Sequence, residues 1–256
     1  MMKNKYLDGL EKIEFVLTEL CTGNCRHCSQ GGVSRGTAHI DPFVAADAVR
    51  KIAGTYDIKT VMVFGGEPLL HPDAVREIML CATELGIERR QVITNGFFSS
   101  DGERIRDMAK MLSLCGVNDL LLSVDAFHME HIPIQPVREL AARLLEYGVA
   151  VRLNPAWLVG VDDENPYNEI TRSLVSEFAK MGIPVGCGNV VFPEGNAIKY
   201  LAEYFADSIP KNPYTEDPCQ IKCISFSANG DVLQGNVYKN DIMDIIGKYD
   251  PGMGNI

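Results

Sequence analysis

The chain has 256 residues, 46% of them hydrophobic, and a formal net charge of -10 at pH 7, enough apolar material for one large domain or two small ones. No segment concentrates Lys and Arg, which argues against a nucleic-acid partner held through its phosphates. No window nears the roughly 20 apolar residues of a membrane-spanning helix, and the N-terminal "MMKNKYLDGLEK" lacks the apolar run of a signal peptide, so the sequence reads as cytoplasmic, with no membrane partner.

Strand-like runs then alternate with amphipathic helical stretches. "IEFVLT" (13–18) is followed by a helix near 41–54, "TVMVFG" (60–65) by a helix near 72–86, and "QVITNG" (91–96) by one near 102–115. "DLLLSVDA" (119–126) precedes a helix near 130–147, "AVRLNPAW" (150–157) one near 168–182, and "PVGCGNVVF" (184–192) completes the series. Such alternation specifies a parallel sheet with helical crossovers. Six units of about 30 residues fit, whereas the eight of a closed barrel of roughly 250 residues do not. Beyond 192 come a short helix near 197–207, the proline-rich "SIPKNPYTEDP", a hairpin around Asn229–Gly230 and a closing helix in "NDIMDIIGKY". The expected fold is α/β, a partial (β/α)6 barrel over residues 1–208 with a small C-terminal β-hairpin plus helix appendage over 209–256.

In a reducing compartment the eight cysteines are read as metal ligands or reactive groups before disulfides. Cys81 and Cys115 sit in apolar helical contexts and read as buried, inert thiols. "CTGNCRHCSQGG" (21–32) is different, because it follows the first strand and so lies at the carboxyl end of the sheet, where α/β folds place ligands. A disulfide would leave one of its three cysteines over. A zinc site would need His27 as fourth ligand, yet His27 adjoins Cys28 and neighbouring side chains in an extended loop point apart. A bacterial ferredoxin run continues to a fourth cysteine before proline, and nothing of that kind follows Cys28. Three ligands and an open fourth position, as on a 4Fe–4S cluster, describe the loop better.

"CTGNCRHC", together with "FGGEP" (64–68) at the end of the second strand, resembles the radical S-adenosylmethionine (radical SAM) superfamily. The resemblance implies that Cys21, Cys25 and Cys28 ligate a 4Fe–4S cluster whose unique iron is chelated by SAM. It implies further that Gly65, Gly66 and Glu67 hold the methionyl end, that Ser123 and Asp125 meet the ribose or carboxylate, and that Thr94 and Asn154 assist. His27 offers a flat face near the adenine. His128, Glu130, His131 and Trp157 lie on the rim, placed either to touch substrate or to serve as an ordinary solvated helix start.

"DPCQIKCISFSANGDVLQGN" resembles a truncated SPASM or Twitch extension, with Cys219 and Cys223 as ligands of an auxiliary iron–sulfur cluster, joined by Cys187 or a non-cysteine group, or else merely packed in a cap. Alternation in 184–192 puts Cys187 on one strand face with Val185, Asn189 and Val191, making it a candidate hydrogen donor. The implied activity is reductive cleavage of SAM to a 5′-deoxyadenosyl radical and hydrogen abstraction from a substrate, in peptide or protein modification or oxidation. The alternatives are a dehydrogenase or epimerase of a small metabolite, and a non-catalytic iron–sulfur redox or binding protein. A reductant such as flavodoxin or ferredoxin is the implied partner.

Overall fold

Alternation within "KIEFV" decides which way the first strand faces. The computed structural model describes residues 3–31, 36–206 and 210–252; the domain boundary expected between 208 and 209 lies outside them. In β1 (Lys12–Val16) Ile13 and Phe15 are fully buried while Lys12, Glu14 and Val16 are half-buried, the period of a strand with one packed face. α1 (Pro42–Ala53) begins where Asp41 accepts hydrogen bonds from the N–H groups of Phe43 (2.9 Å) and Val44 (3.0 Å), with proline in the first turn. β2 (Thr60–Phe64), α2 (Pro72–Glu84), β3 (Arg89–Thr94), α3 (Gly102–Leu114) and β4 (Asp119–Leu122) follow, then the short α4 (Ala126–Met129), α5 (Ile134–Glu146) and β5 (Val151–Leu153). Alanine, valine, leucine and isoleucine of α1, α2, α3 and α5 pack with Ile13, Phe15, Val61, Val92 and Leu120 into one continuous core.

The remaining elements are β6 (Ala156–Trp157), α6 (Pro166–Ala179), β7 (Asn189–Val190), α7 (Asn196–Tyr200), β8 (Cys223–Phe226), β9 (Asp231–Val232), β10 (Gly235–Asn236) and α8 (Ile242–Lys248). The main sheet has six strands in the order β5-β4-β3-β2-β1-β8, every pair parallel. It is an open sheet, the partial barrel that the strand–helix alternation specifies.

Its sixth strand comes from an unexpected place. The 184–192 run joins β5 only through a Leu153–Val185 bridge and pairs as β7 with β6 in a separate two-stranded sheet. β8, from the C-terminal segment, instead adds to the far edge beside β1, with Lys12 opposite Cys223 and Phe15 opposite Phe226. Phe15 and Phe226 stack at 4.7 Å between ring centroids. The hairpin also shifts. Asn229–Gly230 turns the chain, but the antiparallel pair is β9 with β10, around Leu233–Gln234. Between β7 and β8, Tyr214 hydrogen-bonds Asn189, Asn212 donates to Glu194 at 3.1 Å and Glu216 accepts from the Lys222 N–H at 3.0 Å, which ties residues 212–216 to β7 and to the start of β8.

Because Phe226 is fully buried against β1, Phe226→Ala is expected to cost about 3–5 kcal/mol in chemical denaturation. A loss below about 1 kcal/mol would mean that the C-terminal strand is no part of the core.

Candidate active site

The cysteine loop after β1, residues 21–31, is tied down at several points. The Cys28 N–H donates to the Cys25 carbonyl (3.2 Å) and the Gly31 N–H to the Cys28 carbonyl (3.0 Å), forming consecutive turns from Cys25 to Gly31. Cys25 is buried, while Cys21 and Cys28 are half-buried. The Gly23 N–H (3.5 Å) and the Asn95 amide (3.7 Å) point at Cys21 Sγ. From the far side, Asn196 donates through its backbone N–H to the Cys28 carbonyl (3.0 Å) and through its side chain to the Cys25 carbonyl (3.0 Å). A Cβ on the preceding Gly195, whose φ is +55°, would lie 2.6 Å from the Cys28 carbonyl oxygen, so glycine is required there.

The second loop locks onto the first. Gly66 N–H donates to the Thr18 carbonyl and Glu67 N–H to the Leu20 carbonyl, both at 2.7 Å. Gly65 has φ +134°, and a Cβ on Gly66 would lie 2.0 Å from the Leu20 carbonyl oxygen. Glu67 is wholly buried. Its carboxylate accepts from Leu69 N–H (2.9 Å), Thr94 Oγ1 (2.7 Å) and Asn95 N–H (2.9 Å), joining the exits of β2 and β3. Burial pushes Glu67 up to about 7, although those three bonds favour its charged form. Asn95 carries the tie onward by donating to Thr22 Oγ1 at 3.1 Å.

At the exit of β4, Asp125 is wholly buried. One carboxylate oxygen accepts from the His128 N–H (3.0 Å); the other faces His128 Nδ1 (2.8 Å) and accepts from the Ala156 N–H (3.0 Å). Burial would raise the carboxyl, but the adjoining His128 ring overcomes it and holds Asp125 well below the usual carboxylate range. The His27 ring lies 4.8 Å from Phe127 and 4.9 Å, edge-on, from His128, and burial pushes it down to about 4. Ligand atoms of His27, Asp125 and His128 lie within 4.8 Å of one another. Yet Asp125 and His128 Nδ1 are already spent on each other, so the trio is a hydrogen-bonded dyad beside an aromatic ring and not a set of open metal ligands.

The polar residues expected at the site therefore separate. Glu67, Thr94 and Asp125 are committed inside the protein. Among the described residues no hydrogen bond engages Ser123 Oγ, the Asn154 amide or His128 Nε2, and none of these atoms is sealed from solvent. Below them, one face of the sheet is polar: Arg152 grips Asp119 with two bonds (2.7 and 3.0 Å), and Gln91 donates to the same carboxylate at 2.6 Å. Glu14 is two residues from Lys12 on the same strand face and pairs with it. Cys187 is exposed in the turn before β7, beside the Arg152 guanidinium, and not within a strand as the alternation implied. Trp157 is buried, its indole nitrogen without a partner. Glu130 pairs with Arg26, and His131 is outside the cluster. Cys219 is exposed; Cys223 is half-buried, and burial with Glu14 nearby pushes its thiol up. Cys81 and Cys115 are buried, as their helical contexts imply.

The family model of the radical SAM superfamily matches residues 15–203, from β1 to beyond α7. The chain belongs to the radical SAM superfamily. A protein of Saccharolobus islandicus named as a probable GTP 3′,8-cyclase is 28% identical over 214 residues, covering 79% of this chain and 67% of that protein. A second protein so named, from Sulfolobus acidocaldarius, is 29% identical over 126 residues, 48% of this chain and 37% of that one. Among solved structures, Streptococcus suis SuiB bound to S-adenosylmethionine superposes with TM-score 0.64 at 16% identity, covering 95% of this chain and 66% of SuiB. The enzyme anSMEcpe with AdoMet and the Kp18Cys peptide gives TM-score 0.61 at 13% identity, covering 96% and 82%. This chain thus spans about two thirds of the first relatives it matches.

Radical SAM enzymes use a 4Fe–4S cluster and SAM, and the residues present suit both. Three cysteines on one loop are thiolate donors for iron–sulfur chemistry, and hydrogen bonds to a ligand sulfur, as to Cys21, are the usual tuning device of such sites. His27 Nδ1 is buried without a partner, as in a site that a ligand completes. Asn95 and Asn196 were missed by sequence reasoning. Asn95 is flanked by Thr94 and Gly96 at a strand end, a polar signal that was legible; Asn196 acts across 168 or more positions, which no local pattern shows.

Asn196→Ala removes the side-chain bond to the Cys25 carbonyl and keeps the backbone bond to Cys28. That bond is worth about 1 kcal/mol, so iron release to a chelator should quicken by roughly fivefold; an unchanged rate would contradict the clamp. Glu67→Gln, which cannot ionise, should lower the melting temperature. The gap to wild type should be widest near pH 5 and narrow toward pH 8, because a carboxyl raised from 4.5 to about 7 loses its stabilising contribution as pH rises through that range. A gap that widens with pH would show the charged form to be the stabilising one.

Proposed function

We propose that the chain binds its cluster through Cys21, Cys25 and Cys28 and SAM through the Gly65–Gly66 turn, Ser123 and Asn154, and that it abstracts hydrogen from a polar substrate held against the open face of the sheet. When bound, the cluster and SAM supply a 5′-deoxyadenosyl radical. Glu67 and Thr94 fix the spacing of the β2 and β3 exits, and Asn95 and Asn196 hold the cysteine loop, so these residues position the ligands and do not contact them. The observation that carries the reading is the interlock of the cysteine loop with the Gly65–Glu67 turn. A redox-sensing or purely iron-binding protein would not require the unspent polar groups at Ser123 and Asn154.

The polar face supports a small polar metabolite over a peptide. Asp119, Arg152, Gln91 and Glu14 offer charged and hydrogen-bonding contacts, and the relatives named as probable GTP 3′,8-cyclases suit the same class. Peptide modification is the second reading, favoured by the likeness in fold to anSMEcpe with its peptide. In either case a flavodoxin or ferredoxin is the proposed reductant, and Cys187, exposed beside Arg152, is the thiol proposed to return hydrogen if the outcome is epimerisation. The C-terminal cysteines are proposed as parts of an edge strand and cap.

Protein reconstituted anaerobically is expected to form 5′-deoxyadenosine from SAM and dithionite. Cys21→Ala, Cys25→Ala and Cys28→Ala should each abolish this, and wild-type turnover in any one of them would refute the ligand assignment. In the Cys219→Ala/Cys223→Ala double variant, iron should stay at about four per chain; loss of about half the iron from a wild type holding twice that would establish an auxiliary cluster instead.

A further inference from the structure

Asp125, the carboxylate expected at the ligand, is wholly buried and is turned inward: its two oxygens already face His128 N–H, His128 Nδ1 and Ala156 N–H. What it presents in its place is a histidine in a fixed orientation. With Nδ1 tied to Asp125 at 2.8 Å, Nε2 is the ring's remaining polar atom, and it is neither bonded nor sealed from solvent. The ring stands edge-on to His27, 4.9 Å between centroids, next to Cys28, and it feels the charge of Glu67 in the second loop. It therefore sits where the exits of β1, β2 and β4 converge. A dyad serving only to staple α4 to the sheet would need the Asp125 bonds but would have no reason to leave Nε2 open at that convergence. Ser123 and Asn154, the other unspent groups, are uncharged. Burial opposes a charge on His128, but the Asp125 carboxylate outweighs it and raises the ring; once protonated, the ring presents an Nε2–H suited to an anionic or lone-pair oxygen.

We propose that His128 is a contact of bound SAM, donating from Nε2 to one of its oxygens, carboxylate or ribose hydroxyl, and that Asp125 is the positioning residue that aims it. The proposal rests on the reading that this site binds SAM, and the test separates the two. If wild-type protein carrying its cluster binds no SAM, the site reading fails; if it binds SAM and His128 does not matter, only this inference fails.

Cluster-loaded wild type, His128→Phe, His128→Gln and Asp125→Asn are compared for SAM dissociation constant by equilibrium dialysis and for the SAM-induced change in the EPR spectrum of the reduced cluster. Phenylalanine keeps a ring against His27 and removes the donor; glutamine keeps an N–H donor. His128→Phe should weaken SAM binding by about 10- to 100-fold, the loss of one hydrogen bond to a charged group, with iron content retained and the melting temperature lowered by the bond lost to Asp125. Glutamine should recover most of the loss, and Asp125→Asn should fall between. Should phenylalanine unfold the protein, His128→Ala is read in its place by the same criterion. SAM affinity within twofold of wild type in the donor-less variant would overturn the proposal. Competition by methionine and by 5′-deoxyadenosine then assigns the oxygen. A drop confined to methionine marks the carboxylate, a drop confined to the nucleoside marks the ribose, and unchanged affinity for both overturns the contact.

Discussion

Two backbone hydrogen bonds of 2.7 Å, from Gly66 to the Thr18 carbonyl and from Glu67 to the Leu20 carbonyl, set everything above the sheet. They bring the exits of β1 and β2 so close that no Cβ fits at Gly66. The contact makes the cysteine loop a rigid extension of the sheet and not a mobile connection. Loops ordinarily carry function at the cost of order; here the parallel pairing of β1 with β2 is continued past the strand ends to remove that freedom. Three thiols proposed to share one cluster need such pre-organisation, because each ordering step left undone is taken from the binding free energy.

Glu67 extends the same constraint sideways. A buried carboxylate is costly unless its oxygens are filled, and Leu69, Thr94 and Asn95 fill them. The cost returns as geometry: the β2 turn, the β3 exit and, through Asn95 and Thr22, the cysteine loop become one unit. Asp125 repeats the device at β4, with His128 and Ala156 as partners. The site thus consists of an inner frame of satisfied buried acids and an outer set of polar atoms with open valences. Only the outer set can meet a ligand.

Much of this was legible in the sequence, and the rest was hidden for definite reasons. Strand–helix alternation specified the open parallel sheet, and the C-x3-C-x2-C run and GGEP marked the cysteine loop and the turn that locks onto it. Residue type at a strand end did not separate frame from contact, since Thr94, Ser123, Asp125 and Asn154 are all polar and differ only in who else reaches them. The 184–192 run looked like a full strand because Val185, Cys187, Asn189 and Val191 fall on one face, yet after the Leu153–Val185 bridge the chain turns through Gly188 at φ +68° and β7 starts only at Asn189. β8 was assigned to a hairpin on the strength of Asn229–Gly230. Its true partner β1 lies some 200 positions away, where burying Phe226 on Phe15 outweighs a local turn preference. Asn196 was invisible for the same reason.

The central claim, that close backbone approach at the β2 exit positions the three cysteines proposed as iron ligands, is tested most directly by the iron content of Gly66→Ala after anaerobic reconstitution. One methyl group is added, no ligand is touched and no charge changes. The account predicts a folded protein with the wild-type far-ultraviolet spectrum that retains well under half of the wild-type iron. Full iron loading, with SAM cleavage at the wild-type rate, would contradict it.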